Sequence, residues 1–207
     1  MKNKFILSLV CLFVIFGINN FSSYAATKKL SMGLGAYING KIGINAAEVM
    51  PGIKNNILLG GPDFGIIGCV PLSEDMSTAG MLEVGYTSLP FSTKIELVGK
   101  NVEYVFKYVT ISPQFFISGF TVGLDIGFHN ATYLNGTETS IYNSAAEGIY
   151  TAVKLGGMFP VLTNELGALS VALNGSYALT GIGNEGEKYP FHPASLSLGL
   201  NYMFNLE

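Results

Sequence analysis

The stretch Phe120-Thr-Val-Gly-Leu-Asp-Ile-Gly-Phe-His129 alternates at every step. Phe120, Val122, Leu124, Ile126 and Phe128 share one parity, while Thr121, Gly123, Asp125, Gly127 and His129 share the other. A period of two is the signature of a strand; a helix needs apolar residues three, four and seven apart. One face of this strand is large and apolar and the other is small and polar. The fold follows from what each face meets.

Seven further segments repeat the pattern. Met32, Leu34, Ala36 and Ile38 oppose Ser31, Gly33, Gly35, Tyr37 and Asn39, and Phe64, Ile66, Val70 and Leu72 oppose Gly65, Ile67 and Cys69. Leu82, Val84 and Tyr86 oppose Glu83, Gly85 and Thr87, while Val109, Ile111 and Phe115 oppose Tyr108, Thr110, Ser112 and Gln114. Val153, Leu155 and Phe159 oppose Tyr150, Ala152, Lys154 and Gly156. Leu169, Val171, Leu173, Tyr177 and Leu179 oppose Ser170, Ala172, Asn174, Ser176 and Ala178. The closing segment sets Leu196, Leu198, Leu200, Tyr202 and Phe204 against Ser197, Gly199, Asn201 and Met203. Most of these runs are about 9–11 residues, the length that crosses a bilayer as a tilted strand.

Export is expected from the first residues. Lys2 and Lys4 precede an apolar run from Phe5 to Ile18, and Ser23-Tyr24-Ala25 offers small residues at −3 and −1. Residues 1–25 therefore read as a cleaved secretory signal, leaving 26–207 as a single domain. The run is short for a bilayer helix, and Cys11 sits inside it rather than at its end, against a lipid-anchor reading.

Past Ala25 there are 9 lysines, no arginine and 14 acids. Without arginine forks or a basic cluster, nucleic-acid binding is excluded as a function class. Cys69 is the one cysteine left, so no internal disulfide is available to the exported chain. Mean hydropathy is nevertheless +0.41 with 26 glycines. An apolar exported chain without a second long apolar run points to a large alternating β-structure.

The connections alternate in length. Ser73–Thr78, Ser118-Gly119 and Thr163–Gly167 read as short turns; Lys41–Gly61, Pro90–Glu103, Asn130–Gly148 and Gly181–Pro193 read as long loops. That places all short turns, and both termini, at one end of an up-and-down sheet, as in barrels with tight periplasmic turns and longer extracellular loops. The small face is too poor in bulk to be a sandwich core and suits the interior of a narrow barrel, whereas a soluble lipocalin-like barrel would put its apolar face inside. The expectation is all-β: an eight-stranded antiparallel up-and-down transmembrane β-barrel.

Three stretches, GIIGCVPLSEDMSTAGMLEVGYTS (65–88), YVTISPQFFISGFTVGLDIGF (108–128) and SLGLNYMF (197–204), resemble the small porin-like, PorT-type family of bacterial outer-membrane β-barrels. The resemblance implies an outer-membrane location, contact with outer-membrane lipid, and insertion by the barrel-assembly machinery. It also implies that Leu198, Leu200, Tyr202 and Phe204 form the C-terminal insertion signal, although Asn205, Leu206 and Glu207 follow the usual terminal aromatic. The family is defined by its barrel, so it implies architecture rather than a job.

Chemistry-bearing residues are few. Glu83, Asp125 and Lys154 have inward parity and are expected to form a lumen charge network, with Asp125 and Lys154 able to pair across one hairpin. His129, His192 and Ser195 lie near one rim without a motif joining them, so no catalytic, cofactor-binding or metal residues are expected. Lys107 has outward parity near the outer rim, where its ammonium can snorkel, and Cys69 reads as interior packing. Ile53, Ile57, Leu58 and Leu59 make the first loop apolar enough to meet a partner or fold over the mouth. The function expected is a non-enzymatic structural or interaction barrel acting through its extracellular loops, with an extracellular or periplasmic partner of unknown identity. The alternatives are a narrow channel for ions or small solutes and a lipid-modifying barrel enzyme.

Overall fold

A computed structural model describes residues 32–73, 77–140, 146, 148–183, 188 and 190–205; the expected signal segment lies outside them. Eight long strands form the wall: β1 (Gly33–Asn45), β2 (Asp63–Pro71), β3 (Thr78–Ile95), β4 (Lys100–Ile117), β5 (Phe120–Leu134), β6 (Tyr150–Thr163), β7 (Gly167–Ala178) and β8 (Pro193–Asn205). Each pairs antiparallel with its sequence neighbour, and β8 returns to pair with β1 from Gly33 opposite Asn205 to Asn45 opposite Pro193. The ring is closed. Within the ring, closure leaves no first and last strand with an open edge, which is why so many half-apolar strands can coexist in one sheet.

The parity read from the sequence holds around the wall. Leu34, Ile38, Phe64, Ile66, Leu82, Phe115, Leu124, Leu155 and Leu198 are exposed, while Tyr37, Ile67, Glu83, Ser112, Asp125, Lys154, Asn174 and Asn201 are buried. The molecule is therefore inside out relative to a water-soluble domain. Its apolar belt ends in two aromatic girdles: Phe115, Phe159, Tyr202 and Phe204 near the end with the short turns, and Phe64, Tyr86, Phe128 and Tyr177 towards the other. This is the surface of a barrel that crosses a bilayer with strands.

Local chemistry explains the turns. Ser118 (φ 48°) and Gly119 (φ 93°) form a two-residue loop with both residues in the left-handed region, the twist that suits a hairpin. Asn164 closes the β6–β7 turn by accepting the backbone N–H groups of Leu166 and Gly167, both at 3.0 Å.

The wall is taller on one side than the sequence suggests. Pro90–Glu103, expected as a long loop, is mostly strand: β3 and β4 each run 18 residues, and only Glu96–Gly99 turns between them. The other long connections also contain structure. Ile53–Asn56 pairs with the top of β3, Leu58-Leu59 pairs with Ile42 and Gly43 of β1, and Thr137-Glu138 pairs back onto β5 around Asn135-Gly136. Ile182 bridges Phe191 within the last loop. Strands of 9 to 18 residues thus replace the expected 9–11. The excess stands above the upper girdle, where alternation is no longer imposed by lipid.

The interior is layered. At the short-turn end, Ile67, Cys69, Ala79, Met81, Met158 and Met203 fill the lumen. At the opposite end, Leu89, Phe91, Tyr104, Phe106, Tyr108, Tyr150 and Ile182 do so, with Phe191 packed against them. Between these plugs lies a polar, charged layer. The expected inward face of Gly, Ser, Ala, Thr and Asn describes that middle only; the upper plug is aromatic.

Candidate functional site

The middle layer is built by inward positions of all eight strands. Tyr37, Asn39 and Lys41 come from β1, Asp63 from β2, Glu83 and Thr87 from β3, and Thr110 and Ser112 from β4. Asp125 comes from β5, Lys154 from β6, Asn174 and Ser176 from β7, and Ser195 and Ser197 from β8. Two glycine-lined gaps admit the large members. A Cβ on Gly85 would collide with the Tyr37 hydroxyl, and one on Gly199 with the Asn39 amide oxygen, so glycine there makes room for a side chain from the next strands.

Two ion pairs organise the layer. Lys41 pairs with Asp63, and the Thr87 hydroxyl lies between them, accepting from Lys41 Nζ at 2.7 Å and donating to Asp63 Oδ2 at 2.6 Å. The other oxygen, Asp63 Oδ1, accepts from the Ser88 backbone N–H at 2.8 Å and the Ser88 hydroxyl at 3.1 Å. Lys154 pairs with Glu83 from the far side of the lumen, tying β6 to β3. Asp125 accepts a 2.6 Å hydrogen bond from the Ser112 hydroxyl.

The three inward charges expected from parity, Glu83, Asp125 and Lys154, are thus all buried in one layer. Their pairing differs from the hairpin pair expected. Across β5–β6, Lys154 stands opposite Gly123 and Asp125 opposite Ala152. A long lysine chain freed of a bulky cross-strand neighbour reaches over the lumen to Glu83 instead.

Lys41 and Asp63 were not expected in the lumen, because both fell at the edges of a segment read as loop. A signal was present: Lys41 continues the parity of Tyr37 and Asn39, and Asp63 precedes Gly65 by two. Five buried ionisable side chains result, two lysines and three acids, so the layer holds one more carboxyl than ammonium group.

Little space remains. The cavity among these side chains is about 20 Å³, room for one or two waters. Above it Phe91 lies 5.1 Å from Tyr104 and 4.9 Å from Phe191 between ring centroids, and Tyr108 lies 5.0 Å from Tyr150. Packed apolar side chains thus lie on either side of the charged layer.

The histidines near the rim and Ser195, which lies in the middle layer rather than beside them, have separate partners. His129 Nε2 is 2.9 Å from the Thr132 hydroxyl, His192 Nδ1 is 3.1 Å from the Ala178 carbonyl, and Ser195 Oγ is 2.7 Å from Ser176 Oγ. Among the described residues no group of three or more His, Cys, Asp or Glu side chains converges as a metal site would. Lys107 points outward, with its ammonium 4.3 Å from the Tyr133 ring centroid and 5.8 Å from that of Tyr86. Cys69 is buried as a free thiol in the lower plug. Leu198, Leu200, Tyr202 and Phe204 all face outward on the closing strand, with the last two rings in edge contact at 4.8 Å.

No protein-family model matches the sequence, and no curated protein matches it. Several solved structures resemble the chain, outer-membrane proteins among them. The outer membrane protein AlkL, in DMPC bilayers, has 15% identity and a TM-score of 0.41, covering 87% of this chain and 94% of its own. OprG from Pseudomonas aeruginosa has 11% identity and a TM-score of 0.40, covering 86% and 99%. Ail, the attachment invasion locus protein of Yersinia pestis, has 11% identity and a TM-score of 0.43, covering 84% and 99%. Likenesses of this size carry nothing about what the chain binds or does. The closed ring, its apolar belt and its filled lumen define the class by themselves: a small eight-stranded transmembrane β-barrel.

Proposed function

We propose that this is an exported bacterial outer-membrane barrel of the small porin-like type, with a structural or interaction role exercised at its extracellular end. The observation that carries the reading is the filled lumen. A charged layer with a cavity of about 20 Å³ lies between an aliphatic–methionine plug and an aromatic plug. A barrel so occupied has its surface for partners at the loop end, where β3, β4 and the strand Ile53–Asn56 rise above the ring. The apolar outer belt suits outer-membrane lipid as its solvent. The outward residues of β8 suit recognition by the barrel-assembly machinery. The chain acts on no substrate in this reading and needs no cofactor.

The test is electrical and simple. Purified barrel reconstituted in planar bilayers is expected to be silent, while retaining the heat-modifiable gel mobility of a folded barrel. Steady conductance from heat-modifiable protein would overturn the reading and favour the narrow channel. One feature favours that second reading: the surplus carboxyl group, when ionised, gives the layer a bias towards cations. Altered lipid A in expressing cells would favour a lipid-modifying enzyme instead.

A further inference from the structure

At the top of the tall side, two turns from different parts of the sequence come together. Ile53–Asn56 pairs with the end of β3, and the Glu96 backbone N–H donates to the Gly52 carbonyl at 2.8 Å. This brings the turn through Met50 beside the turn through Leu97 and Val98. Turns exposed to water ordinarily use Asn, Asp, Gly and Ser. Here Leu97 is 94% exposed, Val98 66% and Met50 53%. Gly99, at φ +64°, supplies the left-handed residue that closes the loop, so the backbone geometry does not demand aliphatic side chains at its apex.

The charges just below are equally unusual. Lys54 and Lys94 are direct cross-strand partners, an arrangement of like charges that costs stability in an isolated sheet. Lys100 sits opposite Ile95 at the same height. Glu96 pairs with Lys54 at the surface, and Glu103 lies lower on β4. Glu48 stands exposed two residues before Met50, so beyond the Lys54–Glu96 pair the cations left behind the aliphatic point are Lys94 and Lys100, against that one acid.

We propose that this apex docks into an anionic lipid surface other than the leaflet that holds the barrel. Aliphatic side chains on a convex point gain from entering a soft acyl boundary, and lysines set just behind them meet the headgroup phosphates. A purely polyanionic ligand would use the lysines and gain nothing from Leu97, Val98 and Met50. The barrel's own leaflet is out of reach. Ile95 lies nine residues beyond the girdle residue Tyr86, on the order of 30 Å of strand, or ~20–25 Å of height at an ordinary barrel tilt.

The proposal rests on the reading that the long-hairpin end faces outside the cell, and that premise has its own control. Val98→Cys on intact cells should react with a membrane-impermeant maleimide; absence of labelling, with labelling after lysis, would overturn the orientation and the proposal together. The proposal itself is tested by co-flotation. The full barrel in phosphatidylcholine nanodiscs is mixed with vesicles of phosphatidylcholine with or without phosphatidylglycerol. Co-flotation with the anionic vesicles is expected, falling about tenfold in partition for Leu97→Ser with Val98→Ser, variants that keep heat-modifiable mobility. Lys94→Glu with Lys100→Glu should remove the dependence on phosphatidylglycerol. Failure to co-float by a barrel whose tip labels on cells would overturn the proposal alone. So would binding unchanged by the serine substitutions, or binding abolished by soluble heparin yet indifferent to them, since either makes the apex a plain polyanion site.

Discussion

The two buried ion pairs of the lumen look alike in composition and differ in construction. Lys41–Asp63 joins adjacent strands, and Thr87 and Ser88 of a third strand supply three further hydrogen bonds to the same carboxylate. Lys154–Glu83 reaches across the lumen as one contact, with Asp125 lining the same cavity. The first is a clip wired into the wall; the second is a tie across the filled interior with a second acid beside it. A buried charge is tolerated when its partners are many, or when a substitute stands nearby. The difference shows that equal burial does not mean equal dependence.

The largest effect should come from breaking the clip. Asp63→Ala leaves the Lys41 ammonium buried and strips Thr87 and Ser88 of their acceptor, so a loss of about 3–5 kcal/mol is expected. Urea unfolding in detergent, followed by gel mobility, measures it. Lys154→Met comes next, because it leaves Glu83 and Asp125 in the layer without their ammonium. Adding Glu83→Leu to it should recover stability rather than add damage, a sign that a double-mutant cycle reads directly. A smaller loss is expected from Glu83→Gln, since Asp125 can take over part of the pairing to Lys154. If Glu83→Gln proved as costly as Asp63→Ala in the same unfolding assay, the distinction between clip and tie would fail.

Gly85→Ala probes the ground beneath both pairs. Its methyl meets the Tyr37 hydroxyl, and overpacking of this kind costs about 1–3 kcal/mol. The smallest effect belongs outside the lumen altogether. Lys107→Ala removes an ammonium held over the Tyr133 ring and should cost about 0.5–1 kcal/mol, a typical exposed cation–π contribution, in the same unfolding assay.

Legibility follows the same physical line. Between the girdles every strand showed its parity, since lipid outside and a narrow lumen inside impose opposite demands on alternate residues. Above the upper girdle those demands lapse. Leu89, Pro90, Phe91 and Ser92 are buried together: Leu89 and Phe91 belong to the upper plug, and Pro90 lies against Gly43 and Gly60, so the stretch has no alternation and reads as loop. Asn135-Gly136 is a hairpin signal, with both residues at positive φ, inside a connection whose length alone suggests a loop. The charge layer was half legible. Parity identified Glu83, Asp125 and Lys154, but only the register between β5 and β6 decides which carboxylate Lys154 meets.

The sequence by itself determined the strand character, the number of wall strands, and which face of each meets the lumen. These are local or pairwise properties, written in a period of two and in the size of alternate side chains. Tertiary structure alone decided which carboxylate each buried lysine meets, that the lumen is plugged at both ends, and that two distant turns share one apex. Each depends on the stagger and height of strands around a closed ring, and a one-dimensional pattern does not carry that information.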